Sequence, residues 1–221
     1  MQRWVLASSN PGKRLELSRA TADWGVEWES SGALGIDSPD EIHETFLENA
    51  LLKARHASRA SGCPALADDS GLLVDAIHGA PGVWSADFFE RREAIARHFG
   101  LVLPALDSEA LESIAQLDRD AANRAWLLAT LKNVEVAARG AEFVCVLVGV
   151  RSHNDPLPMV SLGRWRGLIA MQERGDAGFG YDRLFIDKAS GAYAAEMGLA
   201  EKHDRGHRGQ ALRGLSKWFQ P

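Results

Sequence analysis

Short apolar runs alternate with amphipathic stretches along most of the chain, the pattern of strands and helices taken in turn. Trp4 to Ala7 predicts a first strand. It stops at Ser8-Ser9-Asn10-Pro11-Gly12-Lys13, where Asn10 suits an N-cap and Pro11 the first helical position. The helix that follows carries Leu17, Ala20 and Trp24 on one side and ends at Gly25. Val26 to Ser30 reads as a second strand, and Ser31 to His43 as an acidic loop. From Glu44 to Ser61 the periodicity is helical, closed by Gly62. Its apolar stripe is Leu47, Ala50, Leu51, Ala54 and Ala57, while Thr45, Asn49, Lys53 and His56 fall on another face. Pro64 to Asp75 predicts a strand, the polar stretch Asp68-Asp69-Ser70-Gly71, then a further strand.

Beyond the turn-rich His78 to Gly82, the pattern from Phe88 to Val134 is mostly helical, broken near Gly100 and Pro104. Arg119 to Lys132 is its clearest helix. Ala141 to Val150 is apolar without alternation, which predicts a central strand covered on both faces. Met159 to Gly167 and Leu168 to Gln172 read as two more strands. Glu173 to Asp182 is a glycine-rich loop and Arg183 to Ile186 a short strand. The chain closes with a basic segment, Lys202 to Arg208, and a helix to about Phe219.

Composition narrows the class. With 221 residues, 46% hydrophobic and 25% charged, the chain reads as an ordinary globular protein able to bury a core without staples. A net charge of −5 disfavours general nucleic-acid binding, which depends on neutralising phosphates. Cys63 and Cys145 lack metal-site spacing and are expected to be reduced, buried thiols. No segment approaches the roughly 18 apolar residues of a membrane span. The N-terminal apolar run is too short for a signal peptide. A cytoplasmic protein with no nucleic-acid or membrane partner is the expectation.

Candidate chemistry gathers at five places. Asp68 and Asp69, with Glu41, are the types that hold magnesium through one or two carboxylates. Adjacent residues of an extended strand point to opposite sides, so one of the two aspartates is expected to face the site. Ser8 to Lys13 places backbone N–H groups and a lysine at a helix start, an anion site without the glycine-lysine pattern of a P-loop. Lys53 has no acid within its own helix to pair with. In Gly178-Phe179-Gly180-Tyr181-Asp182 the glycines allow close backbone approach and the aromatics suit stacking on a base. Lys202, His207 and Arg208 form a basic cluster in an acidic chain.

Taken in order, SSNPGK, ETFLENALLKA, ADDSGLLVDAIHGAPGVWSADF, GFGYD and EKHDRGHRGQAL resemble the noncanonical purine nucleoside triphosphate pyrophosphatases, the inosine/xanthosine triphosphatase family. The resemblance spans nearly the whole chain and is weakest from Glu90 to Ala138. It implies a single 221-residue domain of α/β class. A long central mixed sheet would carry helices forming two lobes around a cleft. It implies hydrolysis of ITP, dITP and XTP to the monophosphate and pyrophosphate, with Mg2+, by a homodimer. Carried over residue by residue, Glu41 and Asp69 are the metal carboxylates and Asp69 is also the proton acceptor. Ser8, Ser9, Asn10, Lys13 and Lys53 match phosphate-side contacts, and Ser70 a substrate contact. Phe179, Gly180, Tyr181, Asp182, Lys202, His207 and Arg208 match the nucleoside pocket.

Three positions depart from the family pattern. Asp87 stands where relatives usually have arginine, Gly206 where they usually have serine, and Arg183 where they usually have proline. Glycine is nearly as good an N-cap as serine, so the helix after Gly206 is expected to form. Asp87 is the feature that supports a catalytically weak nucleotide-binding protein. A broader nucleotide pyrophosphatase, acting also on modified pyrimidines, is a further alternative. A dinucleotide enzyme would need a GxGxxG in the first loop, and there is none.

Overall fold

The computed structural model describes residues 2–8 and 11–219. In chain order its elements are β1 (Gln2–Ala7), α1 (Pro11–Ala20), β2 (Val26–Ser30), α2 (Phe46–Ser61), β3 (Ala65–Val74), β4 (Pro81–Gly82), α3 (Arg92–Phe99), α4 (Ser108–Ala115) and α5 (Arg119–Thr130). Then come β5 (Gly140–Val150), β6 (Met159–Ile169), β7 (Phe185–Asp187), α6 (Leu199–Arg205) and α7 (His207–Ser216). One mixed sheet runs in the order β2-β1-β3-β5-β6-β7, with β4 paired to β3. β1 is parallel to both β2 and β3, while β4 and β7 run antiparallel to their partners. The α/β class with a mixed sheet is therefore as expected from sequence. No helix among the described residues is long and apolar enough to cross a membrane.

The chain divides into two compact units. The first comprises Met1–Ser70, Val144–Arg164 and Ala200–Pro221, and the second Gly71–Phe143 and Trp165–Leu199. In the first unit, Trp4, Leu6, Leu17, Leu66, Leu147, Met159, Leu212 and Leu215 make one buried cluster. Helix α7 lies directly against β6 there. A Cβ at Gly163 would strike the backbone of His207 and Ala211, so only glycine permits the approach. The second unit packs Leu72, Phe88, Trp126, Leu127, Phe143, Trp165 and Phe185. Its fully buried Arg139 donates to the carbonyls of Leu131 (2.7 Å), Val134 (3.0 Å) and Ala170 (3.1 Å), which caps the end of α5.

Several boundaries differ from the hydrophobic pattern. Residues 65–74 form one strand, so Asp68 and Asp69 lie mid-strand and not at a strand end. Met159 to Ile169 is likewise one strand, not two. The first helix stops at Ala20, where the buried Thr21 hydroxyl donates to the Leu17 carbonyl at 2.8 Å, and a single 3-10 turn leads to Gly25. On α2 the buried face is Asn49, Ala50, Lys53, Ala54, Ala57 and Ser58, while Leu47 is 45% exposed. Ala50, Ala54 and Ala57 of the expected stripe are buried, and the buried face extends to Asn49 and Lys53, which meet the His43 backbone and the Asp69 and Glu41 carboxylates. Cys63 is half-buried and Cys145 buried, and the two are not joined in a disulfide.

Gly163→Ala is expected to destabilise the protein by at least about 1–3 kcal/mol, because the clash is with helix backbone and not with a side chain that can turn away. Gly198→Ala, whose Cβ would meet nothing within 4 Å, serves as the control and should stay within about 0.5 kcal/mol of the parent in urea denaturation.

Candidate active site

Strand β3 carries the chemistry, and its pleat sorts it. Successive side chains leave opposite faces, so Asp69 goes one way while Asp68 and Ser70 go the other. Both aspartates are buried. On the Asp69 side, the Lys53 ammonium of α2 lies 2.9 Å from Asp69 Oδ1 and 2.9 Å from Glu41 Oε1. Local sequence explains the arrangement. Thr45 caps α2 by accepting the Glu48 N–H, and its hydroxyl donates to the Glu48 carboxylate at 2.6 Å. Four residues on, Asn49 accepts the His43 N–H and donates to the His43 carbonyl, both at 3.0 Å. That amide pins the loop carrying Glu41 to the same helix face that presents Lys53. Burial alone would push the Lys53 ammonium down. The carboxylates of Asp69, Asp68 and Glu41 outweigh it and hold its pKa above the usual lysine value.

On the other side of β3 lies a second charged knot. Ser70 Oγ donates to Asp68 Oδ2 at 2.8 Å. Arg208 Nη2 lies 3.5 Å from Asp68 Oδ2 and 3.4 Å from Ser70 Oγ. Arg208 Nη1 donates to Glu16 of α1, and Lys202 Nζ stands 3.4 Å from the other Glu16 oxygen. Desolvation would lower the pKa of the buried Arg208, but Asp68, Cys145 and Glu16 raise it further. His207 and Ser8 are buried in the same unit. The helix after Gly206 forms with that glycine as N-cap, as its sequence predicts. Ser9 and Asn10 lie outside the described residues, as does the side chain of Lys13. The structure thus gathers Glu41, Lys53 and Asp69 in one cluster and Ser70, Lys202 and Arg208 in another.

Residues 178–182 belong to the second unit and are anchored within it. The Phe179 N–H donates to Asp182 Oδ2 at 2.8 Å, a closure that Gly178 permits, since a Cβ there would collide with the Asp182 carboxylate. Both Gly178 and Gly180 have left-handed backbones. Tyr181 is buried, its hydroxyl donating to the Ser85 carbonyl at 2.8 Å. Burial, then the charges of Asp120 and Asp87, push that phenol well above its ordinary value. Phe179 is half-buried. Arg183 lies 3.8 Å from Glu173 and 3.4 Å from Asp176.

Among the described residues no group of three or more His, Cys, Asp or Glu side chains gathers at one point, so a hard divalent cation would have the carboxylates of Asp69 and Glu41 as its protein ligands. Two carboxylate oxygens already converge on one positive group, and oxygen ligands of that kind are what magnesium takes. Sequence reading missed Glu16, which orients Arg208 and Lys202, and Asn49, which holds the Glu41 loop. It gave Asp68 only a supporting place. The signal for Glu16 was available, since it lies one helical turn beyond Lys13. Nothing in the sequence pairs Asn49 with His43.

The Ham1 family model matches residues 4–115 and 91–218 of the chain. The chain is 47% identical over 213 residues to the dITP/XTP pyrophosphatase of Yersinia pseudotuberculosis, covering 96% of this chain and 95% of that one. It is 46% identical over the same length to the dITP/XTP pyrophosphatase of Methylibium petroleiphilum, again over 96% of this chain and 95% of the relative. Among solved structures, a HAM1 protein from Coxiella burnetii superposes with a TM-score of 0.79 at 35% identity, over 99% of this chain and 98% of that one. A nucleoside-triphosphatase / dITP/XTP pyrophosphatase from Mycobacterium abscessus gives 0.67 at 36% identity, over 97% and 98%.

Lys53→Met leaves the buried Asp69 carboxylate without its cation and is expected to cost about 3–5 kcal/mol in urea denaturation, with added Asp69→Asn recovering most of the loss. The folded-state pKa of Lys53 is raised. Its contribution is therefore complete below the ordinary lysine value of about 10.4 and is lost only as pH rises through the folded value. The stability gap between the two proteins should stay level from about pH 6 to about pH 9, and a gap that closes as pH rises across that range would contradict the assignment.

Proposed function

The chain belongs to the Ham1 family, and on that footing we propose that it hydrolyses noncanonical purine nucleoside triphosphates, namely ITP, dITP and XTP, to the monophosphate and pyrophosphate. The observation that carries this reading is the convergence of Asp69 and Glu41 on one buried cationic point, in a chain whose relatives bear the name of that activity. In the reaction a water oxygen bonds to phosphorus, the anhydride link between the α- and β-phosphates breaks, and pyrophosphate leaves. Asp69 is the proposed acceptor of the water's proton, a role that requires a carboxylate within hydrogen-bond reach. The Lys53 ammonium at 2.9 Å favours the charged, proton-accepting form of that carboxylate.

Mg2+ is the proposed metal. Glu41 and Asp69 would hold it, and it would supply positive charge against the roughly four negative charges of a triphosphate. Ser8, Ser9, Asn10, Lys13 and Lys53 are assigned to the phosphates. Ser70 is assigned as a substrate contact, and Lys202, His207, Arg208 and residues 179–182 to the nucleoside. Arg208 is a donor held in place by Glu16 and Asp68. A 6-oxo purine offers such a donor an acceptor, whereas adenine's amine would oppose donor with donor, and mismatches of that kind discriminate by orders of magnitude. A homodimer working in the cytoplasm completes the proposal. Asp87, where the family resemblance would imply an arginine, is the one sequence feature favouring a weak enzyme.

Pyrophosphate release should be Mg2+-dependent, and kcat/KM for ITP, dITP and XTP should exceed that for ATP by about a hundredfold or more. Asp69→Asn should lower kcat by about 10²–10⁴. Release from ITP no greater than that of Asp69→Asn would sink the enzyme reading, and equal rates on ITP, XTP, GTP, ATP and dUTP would refute the selectivity.

A further inference from the structure

Helix α5 lies far in sequence from every residue assigned above, yet two of its side chains grip the backbone of residues 178–182. Asp120 Oδ2 accepts the Gly180 N–H at 2.7 Å. One turn on, Arg124 Nη1 donates to the Gly180 carbonyl at 2.9 Å. Both polar groups of one residue are thus held by charged side chains, the stronger class of hydrogen bond. Gly180 has a φ of +59°, a left-handed conformation that glycine adopts without steric cost. Arg124 is buried, and its Nε lies 3.0 Å from Glu173 Oε1. A single guanidinium therefore ties the tip of the loop at Gly180 to its stem at Glu173. The stem is closed by the Arg174 N–H donating to the Arg183 carbonyl at 2.9 Å. Asn123, between the two, donates to the Ala86 carbonyl at 2.7 Å and accepts the Phe89 N–H at 2.9 Å, so α5 is itself anchored where it grips.

We infer that Asp120 and Arg124 are positioning residues, which hold residues 178–182 in the conformation that gives Phe179 its place and through it set the affinity for the nucleobase. The inference rests on the reading of that loop as nucleoside-binding. Neither side chain needs to touch substrate. Glycine at 180 leaves the loop many alternative backbones, and the two charged contacts remove them before binding, so the ordering cost is not charged to the ligand. The effect belongs on KM, because a group that orders the base-binding loop acts on ground state and transition state alike.

Two measurements on the full-length protein test it. Hydrogen exchange of the Gly180 amide in the ligand-free protein should be about tenfold faster in Asp120→Ala and in Arg124→Ala than in the parent. In steady-state pyrophosphate release from ITP, KM should rise about tenfold in both variants with kcat within about twofold. Asp120→Asn, which keeps an acceptor oxygen, should restore most of both. If Arg124→Ala does not fold, the half-exposed Asp120 site carries the test alone. Unchanged exchange would overturn the clamp. Faster exchange with unchanged KM would overturn its link to affinity, and a fall in kcat that tracks a lowered Tm would reduce both residues to structural ones. A parent protein inactive on ITP would defeat the proposed function, while the exchange result would still decide the clamp.

Discussion

A lysine ammonium survives beneath a protein surface only where carboxylates face it, and Lys53 has two at 2.9 Å. Much of the first unit follows from that constraint. Helix α2 buries Asn49 and Lys53 beside Ala50, Ala54 and Ala57, and leaves Leu47 of its apolar stripe exposed. The loop before α2 is drawn in and pinned by Asn49, which brings Glu41 within reach of Lys53. Strand β3 must then place an acid opposite α2, and Asp69 is that acid. The carboxylates of Asp69 and Glu41, drawn to one point, would repel each other. The buried ammonium offsets that repulsion.

The pleat of β3 supplies the second organising fact. Two adjacent aspartates serve two different cations because neighbouring side chains leave opposite faces. Asp69 meets Lys53, whereas Asp68 meets Ser70 and Arg208. Each acid balances a buried base, so neither network leaves a net buried charge without a partner. The arrangement also makes Asp68 more than a neighbour of the catalytic candidate. It and Glu16 hold the guanidinium on which the proposed recognition of a 6-oxo purine depends.

The second unit solves a different problem, how to give a glycine-rich loop one conformation. Its answer is to hold the loop's backbone from outside: Asp182 takes the Phe179 amide, α5 takes both ends of the Gly180 peptide, and Tyr181 is sunk into the core with its hydroxyl on Ser85. Arg183 adds charge contacts to Glu173 and Asp176, which are weak and screened by salt where exposed.

What the sequence determined by itself was the class of the fold and the cast of the chemistry. Local patterns sufficed for β1, α2, α5 and the central β5, because period and capping are properties of neighbouring residues. The motif series around Lys53, Asp69, Phe179 and Arg208 was enough to name a family. The tertiary structure alone decided which carboxylate meets which cation, that Glu16 and Asp68 share Arg208, that Asn49 holds the Glu41 loop, and that Asp120 and Arg124 grip Gly180 from sixty and fifty-six residues away. Those pairings join segments distant along the chain, and whether a buried charge is tolerable depends on what packing brings within about 3 Å of it, which no local pattern encodes.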